Sequence, residues 1–175
     1  MLSTDIKVDI DTAMLEKIVA AVEKEAKQSV QVGWFDTGSH PDTLVKGQDK
    51  STIAGVAWRN EFGIDRNRSN KEFGVPARPF IRPVINIRTR DEQIASLKRT
   101  ATAAILLKDT SGRRRALGRF LSKSLKDAIS DGTYLGLDEN SPYIEKRKGF
   151  NFPLKGKTGL LRSTIKYKLS NSGVE

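Results

Sequence analysis

Apolar and charged residues alternate from Asp5 to Ile10, where Ile6, Val8 and Ile10 are separated by Lys7 and Asp9, and this period of two predicts a strand with one buried face. Asp11 or Thr12 can cap the element that follows. Within it Met14, Leu15, Ile18, Val22 and Ala26 recur at helical spacing, with Glu16, Lys17, Glu23, Lys24 and Lys27 on the other face. An amphipathic helix laid on a sheet is expected. Alternation returns over Ser29 to Phe35, with Val30, Val32 and Trp34 on one side and Gly33 permitting close backbone approach. The opening of the chain therefore predicts strand, helix, strand.

Thr37 to Lys50 is rich in small polar residues, Gly and Pro, and predicts a long loop. Ser51 or Thr52 can cap a short helix with Ile53, Val56 and Ala57 inward, ended by Gly63 after Phe62. Ile64 to Gly74 is polar and without period. Val75 to Pro83 then holds Pro76, Pro79 and Pro83, which fix φ and remove three backbone donors, so the stretch predicts an ordered extended connector rather than a helix interior or a central strand. In such a connector Phe80 can insert into a core while Arg78 and Arg82 point elsewhere.

Val84 to Leu107 carries Ile87, Ile94, Leu97, Ala101, Ala104 and Ile105 at spacings that predict a long helix, with a break or bend at Gly112. A second stripe, Ala116, Leu117, Phe120, Leu121, Ser124, Leu125 and Ala128, predicts a helix ended at Asp131-Gly132. Thr133 to Thr158 reads as an irregular excursion with Tyr134, Tyr143, Phe150 and Phe152 among basic residues. Thr158 can cap a single turn over Gly159 to Ser163, and Ile165, Tyr167 and Leu169 alternate with Lys166 and Lys168 as a last strand. These elements predict one α+β domain over residues 1–175. It has a small, mostly antiparallel sheet packed with two to four helices, and extended arms near 64–83 and 133–158.

Composition changes this picture in one respect. Hydrophobic residues make up 37% and charged residues 30%, a lean core that predicts buried surface gained from neighbours, as in an assembly subunit. The balance of 31 Lys and Arg against 21 Asp and Glu, a net +10, predicts attraction to polyanions such as nucleic acid or to an acidic protein face. With no cysteine there is neither disulfide nor thiolate metal site. Met1 to Gln28 has no uninterrupted apolar run and predicts neither a signal peptide nor a membrane span.

Candidate chemistry is sparse. A nucleophile-histidine site would have to be built on the single histidine, His40, beside Pro41. Gly156-Lys157-Thr158 ends like a phosphate loop, but its earlier glycine position is Asn151. Asp42, Glu61 and Glu145 are carboxylates a metal-dependent nuclease could use, scattered over separate segments. No catalytic residue, cofactor or metal site is expected. Two basic triplets, Arg113-Arg114-Arg115 and Lys146-Arg147-Lys148, can neutralise phosphates or meet an acidic partner, and can equally be a solvated helix start and a solvated loop.

Several motifs occur together and in order: Val32-Gly33-Trp34; Ile53-Ala54, Val56-Ala57 and Asn60-Glu61-Phe62-Gly63; and Val75-Pro76-Ala77-Arg78-Pro79-Phe80-Ile81-Arg82-Pro83. The C-terminal third adds Asn140-Ser141-Pro142, Arg147-Lys148-Gly149, Leu154 and Thr158-Gly159-Leu160-Leu161-Arg162-Ser163-Thr164-Ile165. Across Val30 to Leu169 this set resembles the small head-tail joining and tail-completion (neck) proteins of long-tailed bacteriophages. The resemblance implies a structural virion protein without catalysis, located at the head-tail junction after assembly in the host cytoplasm. It implies a homo-oligomeric ring, a hexamer, between a portal-side connector and a tail terminator or tail tube, through which DNA passes. A tail-terminator ring and a sequence-independent DNA-binding protein are the alternatives. In the ring, Asn60, Glu61, Phe62, Gly63, Pro76, Arg78, Pro79, Phe80, Arg82 and Pro83 are expected at the subunit interface, since a preset proline segment presents side chains at little ordering cost.

Overall fold

A computed structural model describes residues 11–35, 52–63, 77–132 and 159–169. Helix α1 (Thr12–Ala26) starts at Asp11, whose Oδ1 accepts from Met14 N at 3.0 Å. Strand β1 (Val30–Gly33) follows. Helix α2 (Ile53–Phe62) is capped by Thr52, whose Oγ1 accepts from Gly55 N at 3.0 Å, and stops at Gly63 with φ 75°. Helix α3 (Ile81–Pro83) leads through a π-helical turn (Val84–Arg88) into α4 (Arg90–Ile105). Then come α5 (Ser111–Asp131), the single turn α6 (Leu160–Ser163) and β2 (Lys166–Leu169).

Among the described residues the architecture is mostly helical with a two-stranded antiparallel sheet, an α+β arrangement. Its register pairs Val30 with Leu169 and Val32 with Tyr167. The alternation read in the last strand holds: Ile165, Tyr167 and Leu169 are buried. The first strand expected at Asp5 to Ile10, the loop Thr37 to Lys50, the segment Ile64 to Gly74 and the excursion Thr133 to Thr158 lie outside the described residues.

Four expectations are corrected. The helix laid on the sheet is α5, not α1; α1 lies along α4 instead. Helix α5 can lie there because Gly118 has no side chain where Tyr167 passes, and because Leu121, Leu125, Ala128 and Ile129 form its buried stripe. Ala116 and Phe120, assigned to that stripe from the spacing, are exposed.

The long helix over Val84 to Leu107 is interrupted at Thr89. Its N–H donates to Val84 O at 3.0 Å, one residue beyond helical reach, and its buried Oγ1 donates to the same carbonyl at 2.8 Å. Gln93 Nε2 reinforces the turn through Ile85 O at 2.7 Å and Thr89 Oγ1 at 2.8 Å. Nor does Gly112 make the break between the two long helices. The chain reverses at Leu106 and Leu107, the latter at φ 53°, and Gly112 lies in the first turn of α5. That start is fixed by Asp109, which accepts from Ser111 N at 3.1 Å and Ser111 Oγ at 2.7 Å. The Ser111 hydroxyl first, and then its N–H, hold the Asp109 carboxyl below the usual aspartate range.

The core gathers Ile53 and Ala57 from α2, Phe80 from the proline segment, Val84 from the π-helical turn, Leu125, Ala128 and Ile129 from α5, and Leu161 and Ile165. Val32 and Trp34 pack on it from the β1 side. Trp34 Nε1 donates to Leu161 O at 2.8 Å, and its ring meets the Phe80 ring edge-on at 6.1 Å.

Candidate interaction surface

The fold brings the N-terminal motif, the α2 motif, the proline segment and the Gly159 to Ile165 turn to one place. Its polar centre is Glu61, fully buried at the last turn of α2. Oε2 accepts from Phe80 N at 2.7 Å and Ile81 N at 2.9 Å; Oε1 accepts from Arg82 N at 3.1 Å and Arg82 Nε at 2.9 Å. Those three N–H groups are the unpaired donors at the start of α3, and Pro83 adds none because it has no N–H. One carboxylate from a different helix thus caps α3, and Arg78 N ties the segment before it to Asn60 O at 2.6 Å.

Burial is the strongest single influence on the Glu61 carboxyl and raises its pKa. The bonds from Ile81 N, the Arg82 guanidinium and Phe80 N act against it and together prevail, so Glu61 titrates below the ordinary glutamate range. With its oxygens held this way, Glu61 has no free face for a metal ion. Among the described residues no group of three or more His, Asp or Glu is placed to hold one.

The residues expected at an interface divide into two sets. Phe80, 1% exposed, and Arg78, 5% exposed, are turned into the subunit. Phe80 enters the core as the connector allows, not the interface that the resemblance implies, and the expectation that Arg78 points away is corrected: Glu61 draws the backbone of residues 80–82 onto α2, which seats the Phe80 ring among Trp34 and the core. Asn60, Gly63 and Pro79 are half-buried, whereas Pro83 is exposed. Pro76 lies outside the described residues.

Phe62 and Arg82 form the outward set. Phe62 is 52% exposed, and the Arg82 guanidinium stands 4.9 Å from its ring centroid while Nη2 reaches Glu61 O at 3.3 Å. Trp58, one helical turn earlier and 58% exposed, lies 5.5 Å from the Phe62 ring. The spacing argument passed over Trp58; the signal that finds it is a tryptophan and a phenylalanine at i and i+4, off the Ile53, Ala57, Glu61 stripe. The three side chains make an exposed aromatic and arginine ridge whose base is pinned by a buried carboxylate.

The first basic triplet is not a uniform patch. Arg114 turns inward and meets Glu25 at 3.2 Å, where Thr110 Oγ1 also donates at 2.6 Å, joining α1 to the start of α5. Arg113 and Arg115 are exposed. Lys146, Arg147 and Lys148 lie outside the described residues, as do His40, Asp42, Glu145 and the Gly156 to Thr158 run. Among the described residues no helix is long and apolar enough to cross a membrane. Comparison of the chain with protein-family models, with curated proteins and with solved structures returned no match.

Proposed function

We propose that this chain is a structural subunit of the head-tail junction of a long-tailed bacteriophage, assembling as a homo-oligomeric ring that joins the capsid connector to the tail. The observation that carries the reading is the Trp58, Phe62 and Arg82 ridge. Large aromatic residues and arginine dominate the energetics of protein interfaces, and a ridge held in place by Glu61 is already ordered before a partner arrives. The motifs of the resemblance then have two tasks in one segment. Glu61, Arg78 and Phe80 build the subunit, and Phe62 and Arg82 offer its grip to a neighbour. The job is mechanical and needs no catalytic group.

Negative-stain imaging with light scattering tests this directly. Rings with a central opening, lost when Trp58→Ala and Phe62→Ala are combined, support the reading; a chain that never closes into rings, with or without a connector partner, overturns it. The exposed Arg113 and Arg115 favour one second reading, a sequence-independent DNA binder. That reading requires retardation of DNA by the unassembled chain, with affinity falling steeply as salt rises.

A further inference from the structure

Helix α1 is fifteen residues long and contains no buried residue. Ile18, Ala21 and Glu25 are half-buried, while Leu15, Val19, Val22 and Ala26 are exposed at spacings of four, three and four. That is the spacing of a coiled-coil seam. On α4, Ile94, Leu97 and Ala101 are exposed at three and four, with Leu97 61% open. Val22 and Ala26 line, with Leu97, Ala101, Ala104 and Leu121, an open groove of about 460 Å³ between the two helices. The two seams therefore belong to one face.

We propose that this α1 and α4 face docks the same face of a second copy of the chain, two helix pairs closing as a four-helix bundle about a two-fold axis. Area is the first argument. Leu15, Val19, Val22, Ile94 and Leu97 are all exposed along the two seams. Together they leave roughly 400 Å² of apolar surface open, within the range of the largest patch on a typical monomer. A standard interface takes ~800 Å² from each partner, and these side chains supply about half of it.

Charge is the second argument, and it selects the occupant. Helix α1 carries Lys17 and Lys24 against Glu16, Glu23 and Glu25; α4 carries Arg90, Lys98 and Arg99 against Asp91 and Glu92. The two helices together are neutral in a chain of +10. Another copy, itself +10, meets least repulsion here, whereas DNA or an acidic protein gains nothing from a neutral face. Charges of both signs flanking an apolar seam also suit a surface that must complement itself. This pairing does not depend on the head-tail reading, whose ridge lies on α2 and α3.

The test uses the full chain in light scattering and oxidative cross-linking. The wild-type chain is expected to form even-numbered species. Val19→Lys and Leu97→Lys, at exposed positions, should each raise the dissociation constant about 10-fold or more while leaving the circular dichroism spectrum unchanged. Because the chain has no cysteine, a scan of Leu15→Cys, Val19→Cys and Val22→Cys reports the pairing without background and stands even if a lysine variant misfolds. At least one position near the axis should give a covalent dimer on mild oxidation, with Trp58→Ala present or absent.

A chain that stays monomeric at every concentration overturns the proposal, whether its own remaining residues or another partner cover the face. So does an oligomer indifferent to both lysines. A lysine-sensitive oligomer with no cross-link anywhere in the scan makes the contact head-to-tail and overturns the two-fold pairing.

Discussion

The ring of Tyr167 lies against the backbone of Gly118 so closely that a Cβ at that glycine would sit 2.4 Å from Cδ2 and 2.7 Å from Cγ. Contact at Cγ reaches the root of the ring, so Tyr167 cannot yield by swinging its far end alone. Gly118→Ala should therefore destabilise the subunit although alanine is the better helix former. Overpacking costs up to ~3 kcal/mol, alanine returns ~1 kcal/mol, and a net loss of about 2 kcal/mol follows. In thermal unfolding this reads as a fall in Tm of roughly 4–8 °C. Adding Tyr167→Ala should bring less than the sum of the two single losses, because the clash disappears with the ring. Strict additivity would mean that the ring contact does not set the spacing of α5 on the sheet.

Glu61 makes a second test of local architecture. Removing its carboxylate leaves the N–H groups of Phe80, Ile81 and Arg82 without their acceptor at a buried helix start. Glu61→Ala should cost about 3–5 kcal/mol, as for breaking a buried charged network from one side. Glu61→Gln keeps an acceptor oxygen of the right shape and should lose about half as much. Urea unfolding followed by tryptophan fluorescence measures both. Equal effects of Ala and Gln would show that the charge, not the acceptor geometry, holds the turn.

The same group makes stability depend on pH. Its folded pKa lies below the ordinary glutamate value, so the folded state holds the proton more weakly than the unfolded chain does. The contribution is complete above the unfolded carboxylate pKa, about 4.3, and is lost as pH falls through the lower folded value. Asp109 acts in the same direction from an exposed position. Urea midpoints taken from neutral pH downward should fall below about pH 5. Glu61→Gln should be less stable at neutral pH yet flatter over the acid range; an unchanged acid slope in that variant would assign the slope to other carboxylates.

Much of this local architecture is legible in the chain. Asp11, Thr52, Gly63 and Gly132 mark helix ends as their chemistry predicts, and the alternation of Ile165, Tyr167 and Leu169 gives the strand its buried face. What is not legible depends on partners distant in sequence. Gly118 looks like a weak point within a helix until Tyr167, forty-nine positions on, is seen to need the space. Glu61 reads as an interface carboxylate beside a glycine stop, because the donors it serves belong to residues 80–82.

Arg82 points outward and Phe80 enters the core, as the proline segment suggests, but Arg78 is buried. The direction of an extended segment's side chains follows from what its backbone is tied to, and that tie is a side chain on α2. Helix α1 fails for a related reason. Its apolar stripe announces a buried face without saying which element, or which molecule, buries it.

Phe80 and Phe62 lie on opposite sides of the same junction, and substituting each separates folding from assembly. Phe80 fills the core against Trp34, so Phe80→Ala should lower the stability of the unassembled subunit by about 3–5 kcal/mol. Phe62 stands half open beneath Arg82. Phe62→Ala should change subunit stability by no more than ~1 kcal/mol, while an interface centred on the ridge should lose about 2 kcal/mol or more. Denaturant unfolding of the monomer and sedimentation of the assembled material measure the two effects independently. Phe80→Ala acting mainly on assembly would return that ring to the interface. Phe62→Ala leaving assembly untouched would remove the ridge from it, and the buried carboxylate of Glu61 would then serve the fold alone.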